Sequence, residues 1–198
     1  MVTGKSKAQL LESGEYVLRS IFGQTNPSNS GTGTSGSESH SEGTRSYLPM
    51  TSAVRAGQDT NSIRFFLFTP TNPIIGKLIS DTKPDTFFSS HWGLNQPLKV
   101  IVHDYRGNCD RDVFATQMIS AYMSTRKSIN LVCLSWEQLA SEDNYFDTVE
   151  NTAMAGKRLS DFISFLKRSG FIRTYDAVHI IGFGIGAHLG GVTGSQIR

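Results

Sequence analysis

Nowhere does this chain carry the roughly 18 consecutive apolar residues that a membrane-spanning helix needs, so none of its 198 residues reads as a helical span. It also lacks a charge of one sign: 19 Lys and Arg against 17 Asp and Glu, well interleaved, leave a net +2. That balance excludes the basic stripe of a nucleic-acid binder and the polybasic patch of a protein held to anionic lipid by charge. Cysteine is scarce, and two thiols, Cys109 and Cys133, say little about the redox compartment. Cys133 stands in an apolar run and reads as a small buried hydrophobe, Cys109 lies in a polar turn, and their spacing alone does not join them. The opening Met1-Val-Thr-Gly-Lys-Ser-Lys7 has no apolar segment of the secretory kind, which leaves either a cytosolic protein or a start that is not the natural one. No motif asks for a metal, and no cofactor is expected.

What is present suffices for a core. An apolar content of 38% over this length fits one domain with an N-terminal extension. The extension is residues 1–60. Ala8, Leu11, Val17, Leu18, Ile21 and Phe22 form a short amphipathic pattern broken by Ser13-Gly14, and residues 24–45 are mostly Ser, Gly, Thr, Asn and Glu. So little apolar surface does not offset the entropy of ordering, which makes this a flexible linker with a solvated His40.

Residues 61–198 alternate between strand and helix signals. Residues 63–68, 98–102 and 129–134 are strand-like, the first ended by Pro70 and Pro73. The spacing predicts a helix over 110–125, with Val113, Phe114, Met118, Ala121 and Tyr122 broadly on one side, and a longer one over 146–167. In the latter Phe146, Val149, Ala153, Gly156, Ile163 and Leu166 recur at helical spacing, Lys167 and Arg168 suit the negative C-terminal end, and Gly170 suits a left-handed cap. A strand over 178–181 follows. Such alternation implies an α/β fold with a mostly parallel sheet and helices on both faces.

The most informative stretch is His179-Ile-Ile-Gly-Phe-Gly-Ile-Gly-Ala-His188. It has the layout of a G-x-S-x-G nucleophile elbow, in which a strand ends in a sharp turn bearing a serine and a helix follows. The outer glycines, Gly182 and Gly186, are in place. At the centre stands Gly184, which has no oxygen to attack an ester carbonyl. The same letters fit the dinucleotide fingerprint G-x-G-x-x-A through Gly182, Gly184 and Ala187, but that motif needs an acidic residue roughly 20 positions onward and usually marks the first strand-to-helix turn. Neither condition is met here.

Four separated stretches together resemble the pancreatic-lipase-like family of α/β-hydrolases, which includes lipases, phospholipases A1 and insect yolk proteins. Arg64-Phe-Phe-Leu-Phe-Thr-Pro-Thr-Asn-Pro73 resembles the family's opening strand and Asn-Pro turn, and Lys99-Val-Ile-Val-His-Asp-Tyr105 its strand ending in His-Gly-Phe. Leu131-Val-Cys-Leu-Ser-Trp136 resembles its Val-Val-Asp-Trp strand, and residues 178–191 resemble its elbow. The resemblance implies a partial α/β-hydrolase fold over 61–198, an extracellular setting, and an oxyanion-like pair of backbone N–H groups from Tyr105 and Ile185.

The departures fall where chemistry would be. Gly184 replaces the serine, Asp104 the glycine after His103, Phe183 the histidine before the nucleophile, and Ser135 the strand aspartate. The family's acid and base follow the elbow in chain order, and the sequence stops before reaching them; a chain ending there would leave its elbow strand as an unpaired edge, as in a fragment. Asp104 would repel a developing oxyanion unless it points away. His103 and His188 read as structural hydrogen bonders, Trp136 and Phe183 as core or pocket wall, and Ser195 as a serine without a partner. The expectation is a catalytically inactive lipase-like protein serving storage or the binding of lipid or a small apolar ligand. The alternatives are a lipase or phospholipase A1 relative active in a fuller form and a dinucleotide-binding module.

Overall fold

The computed structural model describes residues 60–197; the N-terminal amphipathic pattern, the linker and His40 lie outside them. A 3-10 turn at Thr60–Ser62 leads into β1 (Arg64–Thr69), and after the Pro70-Thr71 turn the chain doubles back as β2 (Asn72–Ile79). The sequence patterning ended the strand signal at Pro73, yet Pro73 sits inside β2. A proline removes a ladder donor and is tolerated on a sheet edge, which is where β2 lies. So short a connection also permits only an antiparallel hairpin.

The remaining elements are α1 (Asp85–Phe88), β3 (Leu98–Val102), α2 (Val113–Ser124), β4 (Asn130–Ser135), α3 (Glu137–Ala140), α4 (Tyr145–Arg168), a 3-10 turn at Tyr175–Ala177, β5 (Val178–Gly182) and α5 (Ile185–Gln196). Strand order is β2-β1-β4-β3-β5. β3 runs parallel to β4 and to β5, while β1 is antiparallel to β2 and β4. The sheet is therefore mixed, parallel in the half that carries the elbow.

Alternation along the strands splits the core in two. Phe65, Leu67, Val100, Val102, Val132 and Leu134 join the larger cluster beneath α4 and α5, whereas Phe68, Ile101, Leu131 and Cys133 face α2. Helices thus cover both faces, as the alternating pattern implied. The inward sides of the helices match the expected ones in part: Phe114, Met118 and Tyr122 of α2 pack half-buried against the core, and Gly156, Ile163 and Leu166 of α4 are buried. α2 buries Ala115, Ile119 and Met123, leaving Val113 and Ala121 outside, and Asp112 caps it by accepting from the Ala115 N–H at 2.8 Å. α4 buries Ala155, Leu159, Phe162, Ile163 and Leu166, while Phe146, Val149 and Ala153 are exposed. Its first half turns Thr148, Asn151 and Thr152 inward, and Asn151 Nδ2 donates to the Leu139 carbonyl at 3.0 Å, so a polar stripe misled a reading based on apolar periodicity.

Two contacts fix the long helix against its neighbours. The Phe65 and Phe162 rings stack with centroids 3.8 Å apart. Gly156 lets α5 approach closely, since a Cβ there would lie 2.7 Å from Val192 Cγ1, and Thr193 Oγ1 donates to the Gly156 carbonyl at 3.1 Å. α4 ends as expected: Gly170 has φ 75°, its N–H bonds the Lys167 carbonyl, and the Phe171 N–H bonds that of Leu166 at 2.9 Å. Cys109 and Cys133 form a disulfide tying the loop after β3 to β4. Both are buried, so the polar neighbours of Cys109 gave no sign of its partner.

Candidate functional site

The parallel register sets the level of the site. Val102 is opposite Leu134 of β4 and Gly182 of β5, so the loops that follow these strands leave the sheet together at its C-terminal edge. Open α/β sheets generally place their sites there.

At that edge β5 turns into α5 through Phe183 and Gly184. The Phe183 N–H donates to the Val102 carbonyl at 3.2 Å and the Gly186 N–H to the Phe183 carbonyl at 2.9 Å. Gly184 has φ 54° and ψ −124°, a conformation that strains any residue with a Cβ. A Cβ on Gly186 would lie 2.5 Å from the His103 and Val102 carbonyl oxygens, so β3 and α5 meet backbone to backbone. Between Gly182 and Gly186 a strand thus passes through a sharp turn at Gly184 into a helix.

Asp104 is the residue the sequence reading placed least well. Its carboxylate points into the elbow: Oδ1 accepts the Ile185 N–H at 2.9 Å, and a Cβ on Gly184 would overlap the carboxylate itself. Gly184 is the N-cap of α5 and has no side chain to cap with, so Asp104 caps the helix from across the sheet. A negative charge against the positive end of a 12-residue helix is favourable. The N–H that the resemblance assigned to an oxyanion therefore already holds an anion. The same carboxylate occupies the helix N-terminus on which a dinucleotide would rest its pyrophosphate.

The turn after Asp104 is held tightly. The Gly107 N–H donates to the Asp104 carbonyl at 3.0 Å, Tyr105 Oη donates to the Glu142 carbonyl at 2.8 Å, and the Tyr105 ring meets Tyr145 edge-on at 5.2 Å. Arg106 lies over the Tyr105 ring, its guanidinium carbon 5.0 Å from the centroid.

His103 is fully buried and committed to structure. Its Nε2 accepts the Trp136 N–H at 3.2 Å, its carbonyl accepts the Trp136 indole N–H at 3.1 Å, and its Nδ1 lies 3.0 Å from the Asp104 carbonyl. With Nε2 accepting, the network assigns the proton to Nδ1. Burial pushes the His103 pKa below the ordinary histidine value, against the upward pull of the Asp104 carbonyl and of Asp112, Glu137 and Asp104. A depressed histidine binds fewer protons folded than unfolded, so its stability contribution is complete above the unfolded pKa of about 6.5 and declines as pH falls below it. The thermal midpoint is accordingly expected to drop between pH 7.5 and 5.5, with a shallower drop in His103→Gln. His179, lowered by partial burial and by Lys99, adds a slope of the same sign. Equal slopes for both proteins would remove His103 from this account.

Of the other residues singled out, Trp136 is fully buried, while Phe183 is 52% exposed and stacks on Phe114 at 5.0 Å. His188 is exposed on α5, and Ser195 Oγ, also exposed, donates to the Val192 carbonyl at 2.8 Å. No group of three His, Cys, Asp or Glu side chains suited to a metal occurs among the described residues. No helix of the described residues is long and apolar enough to cross a membrane.

Comparison with known proteins agrees with this geometry. A family model described as Lipase matches residues 28–198. Similar curated proteins include Lipase member H of Danio rerio, 29% identical over 136 residues, and Phospholipase A1 member A of Mus musculus, 30% identical over 132. Hepatic triacylglycerol lipase of Homo sapiens is 32% identical over 135 residues. These alignments cover 69%, 67% and 68% of this chain but only 29%, 28% and 26% of the respective relatives. With a family match over most of its length and a strand–elbow–helix frame at the matching place, the chain belongs to the pancreatic-lipase-like family of α/β-hydrolases.

Proposed function

We propose that this chain is a non-hydrolytic member of the lipase family whose fold serves the binding or storage of lipid or a small apolar ligand, with residues 61–198 as the lipase-like domain and 1–60 as an extension. The observation that carries the reading is Asp104 Oδ1 on the Ile185 N–H beside Gly184. Ester hydrolysis by an elbow needs an oxygen nucleophile and free N–H donors where the oxyanion develops. Gly184 supplies no oxygen, and Asp104 both engages one donor and places negative charge where more would form. The disulfide between Cys109 and Cys133 suits an oxidising compartment and supports an extracellular setting.

The protein is expected to release no product above buffer from short-chain or long-chain esters or from phospholipid, and to remain unlabelled by a fluorophosphonate probe. Labelling mapped by mass spectrometry to any serine between Ser169 and Ser195 would overturn the reading. The competing reading, a lipase or phospholipase A1 relative active in a fuller form, draws on the intact backbone between Gly182 and Gly186; it requires a serine in place of Gly184 in that form, which sequencing the transcript would reveal.

A further inference from the structure

On the α2 side of the sheet, away from the elbow helix, α2 and the β1–β2 hairpin leave a cavity of about 810 Å³ between them. That is within the range of small-molecule sites. Phe66, Phe68, Ile74, Ile75, Ile119 and Met123 line it, so its surface is mainly hydrocarbon. Ile74 and Ile75 are 86% and 80% exposed, and two adjacent isoleucines left in water on a sheet edge form an apolar rim. Gly76 lets the Phe68 ring pack directly on the β2 backbone in the lining, since a Cβ there would lie 2.7 Å from Phe68 Cζ.

The two ends of the groove differ in charge. Asp110 lines it just before α2 and Arg126 just after. A 12-residue helix separates them by about 18 Å, a length comparable to an extended long acyl chain. Arg126 makes no ion pair among the described residues and has φ 53°. Lys127 follows it, so the Arg126 end is positive and the Asp110 end negative. An apolar trough with a cation that has no ion-pair partner among the described residues at one end, and an acid at the other, complements a single-chain amphiphile with an anionic head at the Arg126 end.

We infer that this groove binds a long-chain fatty-acid anion, its carboxylate at Arg126 and its tail between Ile74, Ile75 and α2. The inference deepens the ligand-binding reading above and rests on it for lipid as the ligand class. The two fail separately: hydrolysis by the elbow would overturn that reading and leave the groove untouched.

The test is calorimetric titration of the full chain with oleate below its micellar concentration, beside oleyl alcohol, which has the same tail and no charge. Oleate is expected to bind saturably at one site. Ser120→Trp, at an exposed lining position, should abolish binding of both ligands by filling the groove. Arg126→Gly should weaken oleate at least about threefold while leaving the alcohol unchanged, a size typical of an exposed charge pair. Glycine suits the left-handed backbone at that position, so the thermal midpoint of Arg126→Gly should hold or rise, which separates lost affinity from lost folding. Non-saturable uptake of oleate, retention of both ligands by Ser120→Trp, or equal affinity of Arg126→Gly for oleate would each overturn the inference.

Discussion

Replacing Gly184 with serine is expected to yield a protein that still hydrolyses no ester and unfolds well below the unsubstituted chain. Two costs combine. The backbone at position 184 has φ 54°, where a Cβ costs about 1–3 kcal/mol. The new side chain also overlaps the Asp104 carboxylate, which must leave the Ile185 N–H and uncap α5, at about 0.5–2 kcal/mol. Together these amount to roughly 5–15 °C in thermal midpoint for a domain of this size. Gly184→Ala should fall by a similar amount, since the strain comes from the Cβ and not from the hydroxyl. Activity stays absent because a serine hydroxyl needs a base. His103, the histidine adjoining Asp104, has its Nε2 bound to the Trp136 N–H and its Nδ1 facing the Asp104 carbonyl. Hydrolysis by Gly184→Ser that saturates with substrate would show that a base lies within reach, and would overturn the expectation that these residues hold no partner for a serine at position 184.

Removing the disulfide is the second large effect. Cys109 and Cys133 close a loop with a sequence separation of 24, and the chain-entropy estimate for such a loop is about 3–4 kcal/mol. A Cys109→Ser/Cys133→Ala protein should therefore show a markedly lower denaturant midpoint with little change in slope. Reduction of the unsubstituted protein should reproduce that shift as two thiols become titratable. Part of the loss is local, because the bridge packs in the α2-side core with Ile101, Leu131 and Met123. The same treatment tests compartment: a midpoint indifferent to reductant, with both thiols shown to be free, would detach the extracellular proposal from its structural support.

Local chemistry determined much of this protein. Short apolar runs gave β1, β3, β4 and β5, because strands in a sheet covered by helices on both faces are apolar along most of their length. Basic residues before a glycine gave the end of α4, and the glycine spacing gave the elbow, since only Gly186 permits β3 and α5 to touch and only glycine takes φ 54° without strain. Long-range partnership was not legible. β2 was hidden because Pro73 is read as a strand breaker until the strand is known to lie on an edge. The inward faces of α2 and α4 were shifted because burial follows the neighbour and not apolarity alone: Asn151 is buried against the Leu139 carbonyl while Phe146 is exposed. The disulfide joins residues that only the β3–β4 register brings together. The sequence named Asp104 as a departure from the family pattern and left its direction open. Tertiary structure decided that direction, because the helix end needing a cap and the carboxylate able to supply it stand 81 positions apart in the chain and meet only when β3 and β5 pair.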